Sequence, residues 1–399
     1  MRSKCWLLLM SVLLVATTAW GQAEDDAALD SLRQRDDFVT ASLLVSTPGE
    51  ELYSALGHCV VRKECPTFDL DYCFSFETYT DKTLGDYLRF LSGQTLSGFR
   101  AHKTIDYMQR CKDEGRGVTQ WTLNLTPKQK QELWRRLDDN MMEGLSQHFD
   151  YSFHNCTSLS FMAIGSQLQG ERLVVKEWPQ VMHQSARDMY TDYSRKAPWL
   201  QLMLMTLMGT ETDAEKPMEL YIAPEVAGDV LRQTFIVATD GTERPALVGE
   251  PVQLLPQTYF AQPAWLSPLK FGLFLLAVVL VVTFGQWRFG WQRAARVLDG
   301  VLFGAQALAG VALLYFVLVS CIFGLHWNWC LVILNPLPLL LWMLGRRCKW
   351  ASRLWLTYAV VLLLFAVVLP FVTDQVLFAH QLLAAALFVR CVSQMKQCA

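Results

Sequence analysis

Hydrophobic and polar positions are distributed unevenly along the chain. From Phe38 to about Leu255, short β-rich runs alternate with charged segments; from about Gln262 onward Leu, Val, Phe and Ala dominate. In the first part, Phe38–Ser46 is rich in β-branched and apolar residues and predicts a strand, which Pro48-Gly49 stops. Gly57–Arg62 predicts a second strand, with His58 near its start, and Cys65-Pro66 turns the chain. Phe68–Phe76 alternates with period two. That puts Asp69, Asp71 and Cys73 on one face and Leu70, Tyr72, Phe74 and Phe76 on the other. Lys82–Leu91 predicts a helix and Trp121–Leu125 a strand. Thr126-Pro-Lys-Gln129 opens a helix to roughly Met142, with Thr as cap, Pro at the first helical position and Gln completing a capping box. Gln233–Leu247 predicts a strand pair turned at Asp240-Gly241. Strands and helices in this order give an α+β domain.

The second part contains five apolar stretches: Pro268–Gln286, Val301–Phe323, Cys330–Leu344, Leu354–Phe371 and Gln375–Val389. They predict an all-α membrane domain of about five helices, the third of them short and interrupted by Pro336 and Pro338. Arg and Lys follow the first, third and fifth stretches, and the other two loops carry none. The positive-inside rule then puts the C-terminus in the cytoplasm and the α+β domain outside. The start agrees: Arg2 and Lys4, an apolar core at Trp6–Val15 and small residues up to Gly21 predict a signal peptide at residues 1–21. The expected division is therefore 22–265 for an exported domain and 266–399 for the membrane domain. A net charge of −2 gives no sign of a nucleic-acid partner.

Chemistry concentrates at Tyr151–Ser160. There an extended segment turns into a helix expected to run to about Leu168, with Cys156 at its first turn. Free N–H groups at a helix N-terminus favour a thiolate, so Cys156 is the candidate nucleophile. Of the 11 cysteines, Cys59, Cys65, Cys73, Cys111 and Cys156 belong to the exported domain. An odd number in an oxidising compartment leaves a free thiol; Cys65, Cys73 and Cys111 are candidates for a disulfide of undetermined pairing. The spacings match no usual zinc pattern, so no metal and no cofactor is expected. A thiol nucleophile needs a base, and His58 is preferred because it starts a strand after a glycine. His154 is too close in sequence to face Cys156 easily, and His102, His148 and His183 fall in polar surroundings. Asp71 on the next strand is the candidate for orienting His58, with Asp69 as competitor.

The order Gly57-His58, an Asp-x-Asp strand, Leu-Asn-Leu-Thr into a capped helix, then Asn155-Cys156-Thr157, resembles the periplasmic domain of bacterial apolipoprotein N-acyltransferases of the Lnb type. Those domains are similar to permuted papain-like cysteine enzymes, with the base before the nucleophile in sequence. The resemblance continues through Pro198-Trp199, Gly209, Ala223-Pro-Glu225, Asp299, His326-Trp-Asn328 and Asn335-Pro336. It implies Cys156 as nucleophile and His58 as base, with Asp71 in the third position. It also implies acyl transfer from a membrane phospholipid to the α-amine of a diacylated lipoprotein. His326 and Asn328 lie in an outer loop and are candidates for binding a lipid head group. Two other readings stay open: a membrane-anchored cysteine peptidase or amidase with the same pair, and a non-enzymatic sensor or assembly factor.

Overall fold

The computed structural model describes residues 28–50, 54–78, 83–144, 146–148, 154–179, 185–213, 223–260, 265–322, 324–344 and 349–398. The signal peptide expected at residues 1–21, and His183, lie outside them. The strands are β1 (Thr40–Ser46), β2 (His58–Cys65), β3 (Leu70–Thr78), β4 (Leu96–Lys103), β5 (Val118–Thr122), β6 (Ser146–His148), β7 (Glu171–Val175), β8 (Thr234–Ala238), β9 (Glu243–Pro245) and β10 (Val252–Leu255). The first sheet has the order β10-β5-β1-β2-β3-β4-β6 and its paired neighbours are antiparallel. β7, β8 and β9 form a smaller sheet. The helices of this part are α1 (Leu84–Leu91), α2 (Thr104–Asp113), α3 (Pro127–Met142), α4 (Cys156–Gly165), α5 (Ala186–Ser194), α6 (Pro198–Leu207) and α7 (Pro224–Arg232).

Alternation along the strands gives the large sheet two covered faces. Leu43, Val61 and Phe74 point towards α3, α4 and α7, where they meet Leu137, Ile164 and Val230. Leu44, Val60 and Cys73 point the other way and pack with Tyr107 and Cys111 of α2. The capping box expected at Thr126 and Gln129 is formed, and α3 ends at Met142 as anticipated. β2 and β3 are joined by a 3₁₀ turn at Pro66–Phe68 that ends on Asp69 with φ 53°. Asp69 therefore sits in the left-handed region before the strand begins, and does not share the β3 face as its spacing suggested. Cys65 lies with Phe38 and Val39 in a cluster separate from that of Cys73 and Cys111, and all three thiols are free.

The C-terminal part is α-helical: α8 (Pro268–Phe289), α9 (Gln292–Val319), α10 (Leu337–Leu344), α11 (Lys349–Val367) and α12 (Phe378–Cys398). Among the described residues, three segments are long and apolar enough to cross a membrane: Pro268–Phe289, Gln292–Val319 and Trp350–Phe371. The third expected span is a short 3₁₀ turn at Trp329–Val332 followed by α10. α9 starts at Gln292, well before the apolar stretch at Val301, so Arg293, Arg296 and Asp299 lie in helix rather than in a loop.

The two parts are joined by hydrogen bonds. Gly209, just past α6, donates its N–H to Gly324 O at 2.6 Å, and the Thr210 N–H reaches Trp327 O at 3.2 Å. Side chains tie the same seam through Trp199 Nε1 to Leu266 O at 2.8 Å and Thr206 Oγ1 with His380 Nε2 at 2.9 Å. A second contact carries the end of α1 onto the end of α9, where Ser92 O accepts from Cys321 N at 3.0 Å and Ser320 Oγ at 3.1 Å. The α+β domain is thus seated directly on the ends of the apolar helices.

Candidate active site

Asn155 begins α4. Its side chain accepts from the N–H groups of Thr157 at 2.9 Å and Ser158 at 3.0 Å, and Ser158 Oγ accepts from the Asn155 N–H at 3.0 Å. This capping box fixes the turn that presents Cys156. It also takes two of the helix N–H groups that would otherwise favour an anion. Among the described residues nothing accepts from the Cys156 N–H itself.

The sulfur instead finds its partners across the sheet. Cys156 lies beside the His58 imidazole and the backbone N–H of Cys59, with Thr157 Oγ1 4.0 Å away. Burial alone would raise the thiol. The His58 charge and hydrogen bond, the Cys59 N–H and the Thr157 hydroxyl outweigh it, and Cys156 lies below the ordinary thiol value. Thr157 Oγ1 donates in addition to Cys59 Sγ at 3.4 Å, and burial, followed by the neighbouring Cys156, pushes the Cys59 thiol well up. Two cysteines lie together, and only Cys156 is poised to ionise.

His58 stands at the start of β2, after Gly57. At Gly57 φ is 84°, and a Cβ would come within 2.7 Å of Ser46 O and 3.2 Å of Pro224 Cβ. Glycine lets β1, β2 and the start of α7 close around the histidine. Its Nε2 meets Ser75 Oγ at 2.7 Å. Ser75 is buried on β3.

Asp71, expected to orient His58, does not reach it. Asp71 accepts two hydrogen bonds from Arg62, at 2.8 Å from Nε and 2.7 Å from Nη2, and a third from Thr104 Oγ1 at 2.5 Å. The bonds to Arg62 and Thr104 outweigh burial and hold its carboxyl below the usual range. The β2–β3 register explains the difference. Asp71 pairs with Glu64, near the far end of β2; continuing the register brings Ser75 and Glu77 alongside His58. Glu77 is held by His102 Nε2 at 3.0 Å, with Arg110 Nη1 3.9 Å away. Burial would raise its carboxyl, but His102, the neighbouring His58 charge and Arg110 bring it down to about 2. Ser75, Glu77 and His102 were not anticipated as parts of the site; the shared face of residues 71, 73, 75 and 77 was the available signal.

The outer-loop pair also differs from expectation. Asn328 is buried and its amide is fully used: Nδ2 donates to Thr206 O at 2.9 Å and Leu207 O at 2.8 Å, while Oδ1 accepts from Cys330 N at 2.9 Å and Gln375 Nε2 at 2.7 Å. It closes the last carbonyls of α6 onto the membrane domain and has no capacity left for a ligand. His326 is partly exposed, with Nδ1 3.7 Å from Glu211 Oε2. Among the described residues no group of His, Cys, Asp and Glu has the arrangement of a metal site.

Comparison with known proteins gives two family models. One, described as the Lnb N-terminal periplasmic domain, matches residues 33–177; the other, the Lnb transmembrane domain, matches residues 261–398. No curated protein and no solved structure matches the chain. The thiol–imidazole pair lies inside the first match and the apolar helices inside the second, and the chain belongs to the Lnb family, as an inner-membrane protein whose enzyme domain is periplasmic.

Proposed function

We propose that the protein is a lipoprotein N-acyltransferase that works through a Cys156 thioester. The observation that carries this reading is the placement of Cys156 beside His58 in a domain seated on the ends of membrane helices. Outside the cytosol an acyl donor must bring its own activated bond, and a phospholipid ester does so. The proposed division is a periplasmic domain over 22–265 and a membrane domain over 266–399, with the C-terminus in the cytoplasm.

The Cys156 thiolate attacks the ester carbonyl of a phospholipid. The resulting oxyanion is stabilised by a backbone donor, for which the Cys156 N–H at the start of α4 is the available group. As the C–O bond breaks, the departing alkoxide takes the proton held by His58, and a lysophospholipid leaves. The α-amine of a diacylglyceryl-cysteine lipoprotein then attacks the thioester. His58 accepts the amine proton, the C–S bond breaks, and Cys156 returns as thiolate beside an amide product. Ser75 holds the His58 ring during both steps, a positioning role.

Mass spectrometry of the purified protein incubated with phospholipid tests the reading. A fatty-acyl adduct on the Cys156 peptide, released by neutral hydroxylamine and missing in Cys156→Ser, is expected. Absence of the adduct from a protein that cleaves peptides or amides would replace acyl transfer with hydrolysis.

A further inference from the structure

A cleft of about 770 Å³ opens beside the candidate site, within the ~300–1,000 Å³ typical of ligand pockets. Its walls come from the end of β1 and from α5, α6, α7 and the segment after β10. Much of it is therefore built by residues 178–260, which lie between the two family matches.

The lining favours a cation. Glu50, Asp192, Glu225 and Asp229 face Arg195 and Lys196. Arg195 is ion-paired with Asp192, which leaves three carboxylates against one lysine. The rings of Tyr193, Tyr259 and Phe260 supply the faces on which an ammonium is attracted. The buried Tyr193 hydroxyl has no hydrogen-bond partner among the described residues, so a wall of the cleft already carries an unused acceptor. A phosphate-bearing head group would meet net repulsion here.

Position narrows the ligand further. Ser46 lines the cleft and donates through Oγ to His58 O at 3.2 Å, and Glu225 follows Pro224, which packs on Gly57. One end of the cleft therefore adjoins the start of β2, at the backbone of His58. Towards the other end, Leu200 belongs to α6, whose Trp199 packs at a tilt against Phe271 of α8, 6.0 Å between ring centres. A cation that reaches this cleft from the membrane arrives near the start of β2, where His58 stands.

We propose that this cleft binds the protonated N-terminus of the membrane-tethered polypeptide that accepts the acyl chain, with Glu225 and Asp229 as its counter-charges. The proposal rests on the acyl-transfer reading for the meaning of the ligand, though not for its charge. Bound in the cleft, the ammonium gives one proton to water to become the nucleophilic amine, and His58 takes the second as the amine attacks the thioester.

The test compares two synthetic diacylglyceryl-cysteinyl peptides, one with a free α-amine and one N-acetylated, binding to full-length Cys156→Ala protein in detergent. The free amine should bind about tenfold more tightly, and Glu225→Gln with Asp229→Asn should erase that preference. Each single isosteric substitution should reduce it, which keeps the test available if the double variant does not fold. Equal binding of the two peptides, or a preference that survives the substitutions, would overturn the assignment. The thioester experiment is read on the unsubstituted protein. Its failure would sink acyl transfer while the binding comparison still decides whether the cleft selects an ammonium.

Discussion

His58 Nε2 lies 2.7 Å from Ser75 Oγ, while Asp71 spends its carboxylate on Arg62 and Thr104. The two positions separate positioning from stability. Ser75→Ala removes the bond that fixes the imidazole, and kcat should fall about tenfold, the worth of roughly 1.4 kcal/mol, with little change in KM. Asp71→Asn should leave kcat within about twofold and cost about 1 kcal/mol of stability, since the pair with Arg62 is partly solvated. Steady-state kinetics and thermal melts on both variants check this. The reverse pattern would return Asp71 to the site.

Cys156 owes its lowered thiol value to His58, the Cys59 N–H and Thr157 acting against burial. The rate of iodoacetamide labelling should rise with pH to a midpoint below the ordinary thiol value of 9.0. In His58→Ala the largest favourable contribution is gone while burial remains, so the midpoint should move above 9.0. A midpoint unchanged by that substitution would mean that the imidazole does not sense the sulfur.

Glu77 has a measurable pH signature. Its carboxyl falls from 4.5 to about 2 in the folded protein. The native state therefore binds fewer protons than the unfolded one between those values. The resulting stability is complete above about pH 4.5 and is lost as pH drops towards 2. Glu77→Gln should lower stability by on the order of 2 kcal/mol at pH 7. The melting curves of the two proteins should converge as pH falls from 4.5 towards 2.

The helix start that presents the candidate nucleophile was legible because Asn155-Cys156-Thr157 combines a good helix cap with a thiol at the first turn, a local pattern. The α3 start at Thr126 was legible for the same reason, and the apolar runs after Gln262 marked the membrane part. Ser75 was not. The common face of residues 71 to 77 is a period-two fact, but which member meets His58 depends on register. Register here is set by the 3₁₀ turn at Pro66–Phe68 with Asp69 in the left-handed region. Charge favoured Asp71; geometry selects a neutral hydroxyl four residues on. β4 and α2 were missed as well, because Leu96–Lys103 carries polar residues along a strand whose Phe99 alone is a large buried apolar residue. Asn328 looked like a ligand group because a polar residue in an outer loop has no local partner; all of its partners are tertiary.

The seam between the two parts should be sensitive at Gly209. A Cβ there would lie 1.6 Å from His326 O, a backbone atom that cannot move aside cheaply. Gly209→Ala should loosen the seam, and Asn328→Ala should do so by leaving the Thr206 and Leu207 carbonyls unpaired, at about 1–3 kcal/mol. Limited proteolysis around residue 209 should accelerate in both. A water-soluble thioester donor should still acylate Cys156 while phospholipid does not, which locates the defect at the membrane and not in the dyad.

Arg390 provides the strongest structural test inside the membrane domain. It is fully buried and bonds Asp299 in two places, Nε to Oδ1 at 2.6 Å and Nη2 to Oδ2 at 2.9 Å. Its Nη1 reaches Thr283 at 2.7 Å and Gln286 at 3.0 Å, so α8, α9 and α12 are tied at one point. Gln394 gives Asp299 a further bond at 2.6 Å. Replacing one partner leaves the other charge buried without its counter-charge. Arg390→Leu should therefore destabilise the domain by about 3–5 kcal/mol, visible as a lower melting temperature and earlier aggregation in detergent. Removing both charges leaves no buried charge unpaired, and Asp299→Leu with Arg390→Leu should recover most of that loss. Because the pair lies far in sequence from Cys156, the double variant should keep the rate of thioester formation once folded. A double variant as unstable as the single one would show that the ion pair specifies the packing of these three helices, beyond satisfying its own charges.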